Sequence, residues 1–290
     1  MKIVNRFFFV SDLHGQVDRY SKLFQLIRSE RPAAVFMGGD LLPHRRISLR
    51  SPLSAHKSFI DSYLFPEFER LKKEMNSDKP DIFLILGNDD EGAEEAKILE
   101  GVELGFWNYI NFQKSELAGY AIYGYCFVPP SPFLLKDWEK YDVSRFVDPG
   151  CISPEEGFRS VPADEIEIRN ATIQEDLQIL TAGQKLDKAI FLFHSPPYQT
   201  RLDRAGLDGR LVDHVPMDVH VGSIAIKRFI EERQPLITLH GHVHESTRLT
   251  GNWKEQIGHT WAFNAAHDGL ELAVVKFDPE NPAEAKRELY

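Results

Sequence analysis

Five short apolar runs, each broken off by a polar cluster, constrain this chain more than any other feature. They are Phe7–Gly15 (FFFVSDLHG), Ala34–Pro43 (AVFMGGDLLP), Ile82–Gly92 (IFLILGNDDEG), Ala189–Pro197 (AIFLFHSPP) and Leu236–Ser246 (LITLHGHVHES). Their apolar parts do not alternate with polar residues, which suits strands covered on both faces. Between several of them, apolar residues recur at helical spacing, predicting helices over Val17–Ser29, Ala55–Lys73, Asn170–Ala182 and Ser223–Arg233. Buried strands alternating with helices are the signature of a layered α/β fold. In such sheets ligands bind outside the carboxyl ends of the strands, and all five polar clusters fall there.

The rest of the chain reads as decoration of that core. The segment from Pro129 to Asn170 is rich in Pro, Asp and Glu with weak periodicity, and is expected to be an insertion or cap on a single domain spanning residues 1–290. Leu42–Ser54, which contains HRRISLR, is expected to be a loop. Thr260–Gly269 (TWAFNAAHDG) and Leu270–Asp278 (LELAVVKFD) look strand-like with little helix between them, predicting antiparallel strands that close a second sheet. Two cysteines, Cys126 and Cys151, are too few and too scattered for a disulfide framework or a thiolate zinc site. The N-terminal apolar run is too short for the core of a signal peptide, and no run approaches the length of a membrane span. A soluble, cytoplasmic protein that does not engage a membrane is therefore expected.

The polar clusters carry the chemistry. Asp12, His14, Asp40, Asn88, His194, His242 and His244 are spread over more than two hundred residues, yet each follows a predicted strand and can reach one common edge. Taken singly, an Asp-x-His or a Gly-Asp after a strand is ordinarily a turn or capping residue. Taken together, two carboxylates, one carboxamide and four imidazoles make a mixed nitrogen and oxygen donor set. Without thiolates it suits Mn2+, Fe, Zn2+ or Ni2+. Seven side chains are too many for one ion and about right for two that share a carboxylate. His240 completes a run of three alternating histidines.

At this point the residues resemble the calcineurin-like metallophosphoesterases, whose pattern is D-x-H, G-D, G-N-H, H and G-H-x-H. Here these are DLH (Asp12–His14), GGD (Gly38–Asp40), GND (Gly87–Asp89), His194 and GHVH (Gly241–His244). The resemblance implies a four-layer α/β/β/α sandwich of two mixed β-sheets flanked by helices, with the metal site at the strand C-terminal edge. It also implies Asp12, His14 and His244 on one metal, Asn88, His194 and His242 on the other, and Asp40 bridging. His240 has no place in the G-H-x-H pattern, which implies that it supports a ligand or packs. The implied activity is hydrolysis of a small phosphorylated substrate by a hydroxide bridging two divalent ions, manganese foremost.

The chain departs from the pattern at Asp89, where the family has a non-ligating histidine that helps protonate the leaving oxygen. A carboxylate near two dications is expected to stay ionised and to be a poor acid. Either Asp89 has another role, such as orienting a neighbour, or the substrate is a diester or activated ester whose leaving group needs little protonation. His44 is the candidate replacement acid, and Arg45 and Arg46 are candidate phosphate clamps. His220, just before a predicted helix, is either a cap or a substrate contact. Two other readings compete with the enzyme. A nuclease of the same fold needs a basic groove, and a net charge of −10 argues against it. A non-catalytic scaffold would show gaps in the donor set, and all seven positions are filled.

Overall fold

The unbroken apolar runs do become strands with both faces covered. In the computed structural model, which describes residues 6–44 and 58–290, β1 (Phe7–Val10), β2 (Ala34–Gly38), β3 (Asp81–Ile85) and the short β4 (Asn108–Tyr109) lie parallel in one sheet. A hairpin of β5 (Gln113–Leu117) and β6 (Tyr120–Tyr125) opens the second sheet, where β6 runs parallel to β7 (Ala189–Phe193). β8 (Leu211–Val212) and β9 (Val215–Pro216) form a separate ribbon. The second sheet continues through β10 (Ile237–His240), parallel to β7, and ends with β11 (Lys254–Ile257) and β12 (Thr260–Asn264). β13 (Ala273–Phe277) and β14 (Lys286–Leu289) return to the first. The strand orders are β14-β13-β1-β2-β3-β4 and β11-β12-β10-β7-β6-β5.

Period-two alternation explains how these strands serve two interfaces at once. Ile190 and Leu192 of β7 join the core between the sheets. Ala189, Phe191 and Phe193 of the same strand join a separate cluster with the helices on the far side. α1 (Val17–Glu30) and α2 (Phe65–Met75) cover the first sheet, with Phe24 edge-on to Phe68 at 5.0 Å. α3 (Glu95–Glu103) follows β3, and α4 (Glu165–Asn170) closes the predicted insertion. α5 (Ile173–Leu180) and α6 (Ile224–Arg233) cover the second sheet, with Phe229 against Phe191 at 5.0 Å. A short α7 (Ser246–Thr250) follows the histidine run. The result is the expected α/β/β/α sandwich, and among the described residues no helix is long and apolar enough to cross a membrane.

Three predicted helices recur within a few residues. α5 and α6 start where their caps dictate: Thr172 Oγ1 accepts from Glu175 N at 3.2 Å and Ser223 Oγ from Ile226 N at 3.0 Å. The start predicted for the second helix, at Ala55, lies outside the described residues, as does most of the Leu42–Ser54 loop; a π-helical turn over Ile60–Leu64 leads into α2. The tail corrects one expectation. Instead of closing one sheet, it divides: β12 extends the second sheet parallel to β10, and β13 pairs antiparallel with β1 in the first. Phe277 of β13 then stands edge-on to Phe7 and meets Phe263 of β12, each at 5.7 Å, filling the space between the sheets.

The Pro129–Asn170 segment is keyed into this core by polar anchors. Asp142 accepts from Ser223 Oγ and Ile224 N, both at 2.6 Å, and from Ala225 N at 3.2 Å, so it caps α6 from another part of the chain. Trp138 Nε1 donates to the Asp90 carbonyl at 2.8 Å. Fully buried Lys136 pairs with Glu139 at 2.6 Å. Asp142→Ala is accordingly expected to remove about 1–2 kcal/mol, which lowers the melting temperature by several degrees. Calorimetry is expected to retain a single transition; two resolved transitions would show the segment to be an independent unit.

Candidate metal centre

Each donor sits on a turn that leaves its strand sharply. After β1 the chain takes left-handed backbone at Asp12 (φ 57°) and His14 (φ 46°); after β2 Asp40 does so (φ 52°), and after β10 His242 (φ 70°). Such conformations cost of order 1 kcal/mol or more for a residue with a Cβ, and persist where the surroundings over-determine them. The surroundings here are a ladder between turns. Asp12 N donates to the Gly39 carbonyl at 3.0 Å, His14 N to that of Asp40 at 2.8 Å, and Gly15 N to that of Leu41 at 2.9 Å. Within the second sheet Gly241 N donates to the His194 carbonyl at 2.9 Å, and across the two sheets His242 N donates to Asp12 Oδ1 at 3.0 Å.

Two glycines are required by close approach. A Cβ on Gly87 would lie 2.3 Å from Asp40 Oδ1 and 2.7 Å from His194 Nε2; one on Gly241 would lie 2.0 Å from Ser11 Oγ. Asp90, fully buried, accepts from Leu41 N at 3.1 Å, Leu42 N at 2.8 Å and Gly87 N at 2.9 Å, tying the turn after β2 to the turn after β3. Its position one residue beyond GND is the only sequence signal of this role.

All seven predicted donors converge. Asp12, His14, Asp40 and His244 form one group able to hold an ion; Asp40, His194 and His242 form a second, with Asp40 common to both. Asn88 Oδ1 lies 3.1 Å from His194 Nε2. The spacing between donors tests the fit. Two donors bound to one ion at about 2.1 Å stand roughly 3.0–3.4 Å apart, for angles between right and tetrahedral. His14 Nε2 and His244 Nε2 are 3.2 Å apart, His244 Nε2 and Asp12 Oδ1 3.1 Å, and His194 Nε2 and Asp40 Oδ2 3.3 Å. The residues therefore fit a pair of divalent ions in spacing as well as in chemistry. The orientation of His194 agrees: its Nδ1 lies 2.8 Å from the Gly38 carbonyl, which can only accept, so Nε2 is the nitrogen left for an ion.

The electrostatics show a site that recruits positive charge. Burial alone would raise Asp12, yet the hydrogen bond from His244 brings it down to about 2. Burial opposes the charge on His194 and His244, yet Asp40 and Asp12 hold them up to about 10 and about 9. His14 and His242 fall to about 4 through burial. Asp89 is pushed up to about 8, first by burial and then by the neighbouring Asp40 carboxylate; cations beside Asp40 would counter that repulsion and favour the carboxylate form.

The remaining candidates divide: Asp89 and His44 form a further group with His14 that could hold an ion, whereas His220 and His240 lie outside these groups. Asp89 N donates to Asp40 Oδ1 at 2.8 Å, and its own Oδ1 accepts from Asn88 Nδ2 at 3.3 Å. His44 is exposed and stacks on His14 with ring centroids 4.4 Å apart, its Nδ1 3.3 Å from Asp89 Oδ2. Arg45 and Arg46 lie outside the described residues. His220 stands apart from the donor group, with Nδ1 2.8 Å from the buried carboxylate of Asp203. His240 is fully buried, 2.9 Å from the Ser195 carbonyl and 2.8 Å from Thr238 Oγ1, and stacked on Phe193; it is a packing histidine, and burial lowers it to about 4.

A family model of calcineurin-like phosphoesterases matches residues 5–246 of the chain. No curated protein is similar enough in sequence to stand as a relative. Among solved structures, the protein TT1561 of Thermus thermophilus superposes with a TM-score of 0.55 at 16% identity, covering 99% of this chain and 99% of that one. A dimetal phosphatase from Danio rerio gives 0.50 at 10% identity, covering 99% of this chain and 96% of that one. At these identities the likeness is one of fold.

Because Asp40 belongs to both donor groups, Asp40→Asn is expected to lower metal content in both, not in one. Removing a residue that merely supports a ligand typically costs about 10–100-fold in affinity or activity, so loss of the shared carboxylate is expected to cost at least about 100-fold. Elemental analysis alongside turnover checks this; unchanged activity would remove Asp40 from the centre.

Proposed function

The chain belongs to the calcineurin-like phosphoesterases, hydrolases of phosphoester bonds, and from that premise we propose that it is a phosphodiesterase working with two divalent ions, manganese foremost. In this reading Asp12, His14 and His244 hold one ion, Asn88, His194 and His242 hold the other, and Asp40 is shared. When bound, the ions supply Lewis acidity toward the phosphoryl oxygens and a lowered pKa for a coordinated water.

The chain's own residues do the rest. Asn88 serves the centre through Oδ1, and its amide is held that way round because Nδ2 donates to Asp89 Oδ1 at 3.3 Å. His44, with Nδ1 against Asp89 at 3.3 Å, keeps Nε2 for the leaving oxygen, to which it delivers a proton. Arg45 and Arg46 follow it directly and clamp the non-bridging oxygens. His220, oriented by Asp203 on the loop beyond His194, contacts the substrate away from the scissile bond. Half-buried Cys151 and buried Cys126, both free, suit the reducing cytoplasm in which we place the protein.

Residue 89 is the observation that carries the preference for a diester. A monoester is largely a dianion at neutral pH, since its second ionisation falls near 6, whereas a diester carries one negative charge. A carboxylate where the family has a histidine repels the dianion more, and a chain at −10 adds to that field. With metal-stripped protein reloaded with Mn2+, Ni2+ or Zn2+, a chromogenic diester is expected to be hydrolysed with a kcat/KM at least about tenfold above the matching monoester. Asp89→Asn is expected to narrow that ratio. His44→Ala is expected to lose about 10²–10⁴-fold on alkyl leaving groups and much less on nitrophenolate, which needs little protonation. A monoester preference would overturn the diester reading. No turnover despite two bound ions would favour a non-catalytic scaffold.

A further inference from the structure

Arg19 is a charge in an unfavourable place twice over. Its side chain is only 4% exposed, and a buried charge carries a desolvation penalty of several kcal/mol in proteins. It lies in the first turn of α1, where the helix dipole disfavours a cation. Only the nearby Asp12 and Glu271 carboxylates favour its charge, and Asp12 belongs to a donor group able to hold a metal ion, which would offset that help.

What it touches accounts for its presence. Nη1 donates to the Asp12 carbonyl at 2.6 Å, and Nη2 to the carbonyls of Gly269 at 2.6 Å and His267 at 3.3 Å. Asp12 follows β1 in the first sheet, and residues 267–269 follow β12 in the second. One guanidinium therefore staples the strand-end turns of both sheets at the edge where the donors meet. Asp12 is one of the residues held in left-handed backbone (φ 57°), so its carbonyl is turned out of the strand ladder and has Arg19 as its partner. Only arginine offers several donors in a fixed fork without ever losing its charge.

We propose that Arg19 is a positioning residue for the ion held by Asp12, His14 and His244, setting the backbone of Asp12 so that its carboxylate meets the two imidazoles. The ion at Asn88, His194 and His242 does not depend on it. This rests on the two-ion reading above, and the test separates the two. Metal-stripped wild type, Arg19→Met and Arg19→Lys are titrated with Mn2+ by equilibrium dialysis, with electron paramagnetic resonance reporting the exchange-coupled pair and thermal denaturation reporting the fold. Wild type is expected to bind two ions. Arg19→Met, which keeps the apolar stem, is expected to keep one ion at unchanged affinity, to bind the other at least about tenfold more weakly, and to lose the coupled signal. Arg19→Lys, which retains the charge but reaches fewer carbonyls, is expected to fall between, and decides the matter if the methionine variant does not fold. Adding His244→Ala to the variant is expected to change little further, whereas adding His194→Ala removes the remaining ion. Two ions bound by Arg19→Met at wild-type affinity would overturn the role of Arg19 and leave the two-ion reading standing. No ion bound by wild type would overturn that reading itself.

Discussion

Crowding of like donors is the constraint on which the rest of this structure depends. Four imidazoles, two carboxylates and an amide oxygen converge with neighbouring donor atoms 3.1–3.3 Å apart. Such a group is stable only if positive charge enters it or the backbone holds it against its own repulsion. The upward push that Asp40 and Asp12 give to His194 and His244 expresses the first requirement. The ladder between the turns, the close-packed glycines and the anchor at Asp90 express the second.

The two-sheet architecture follows from the same requirement. A single parallel sheet offers ligands from one row of strand ends. Two sheets packed face to face bring two rows together, so Asp12, Asp40 and Asn88 from one meet His194, His242 and His244 from the other. That arrangement needs strands apolar on both sides, because each faces a helix layer outward and a sheet inward. The phenylalanines of β1 and the split allegiance of β7 supply this, with large rings filling both spaces. The core thus positions the site: a shift of β7 against β2 would separate His194 from Asp40.

Much of this is legible in the sequence, for a physical reason. Buried parallel strands and polar residues at their carboxyl ends are both local patterns, so the five runs and the seven side chains that converge after them can be read directly. Pairing between distant segments is not local. Nothing in AVVKF distinguishes a strand that joins β1 from one that joins β12, so the expectation of a single sheet for the tail fails where the tail serves both. α3 escapes because a short amphipathic stretch beside an acidic turn carries little periodic signal. The backbone anchors escape for a different reason. Asp90 looks like a second copy of Asp89, and Arg19 like an ordinary surface charge on a helix, since burial and carbonyl partners supplied by remote turns leave no trace in spacing.

The chemistry of those two anchors is opposite, and the turns dictate why. Where β2 and β3 end, the groups turned away from the ladder are amides: Leu41 N, Leu42 N and Gly87 N all point at one spot. A carboxylate is the side chain that accepts several donors at once. Where β1 and β12 end, the groups turned away are carbonyls, of Asp12, His267 and Gly269. There a guanidinium answers the same need with the opposite charge. A buried acid and a buried base, each directed at backbone instead of at one another, hold a cluster of side chains able to bind metal. Both anchors bond backbone groups and not the side-chain donor atoms of that cluster, so both can fix its geometry without competing for those atoms.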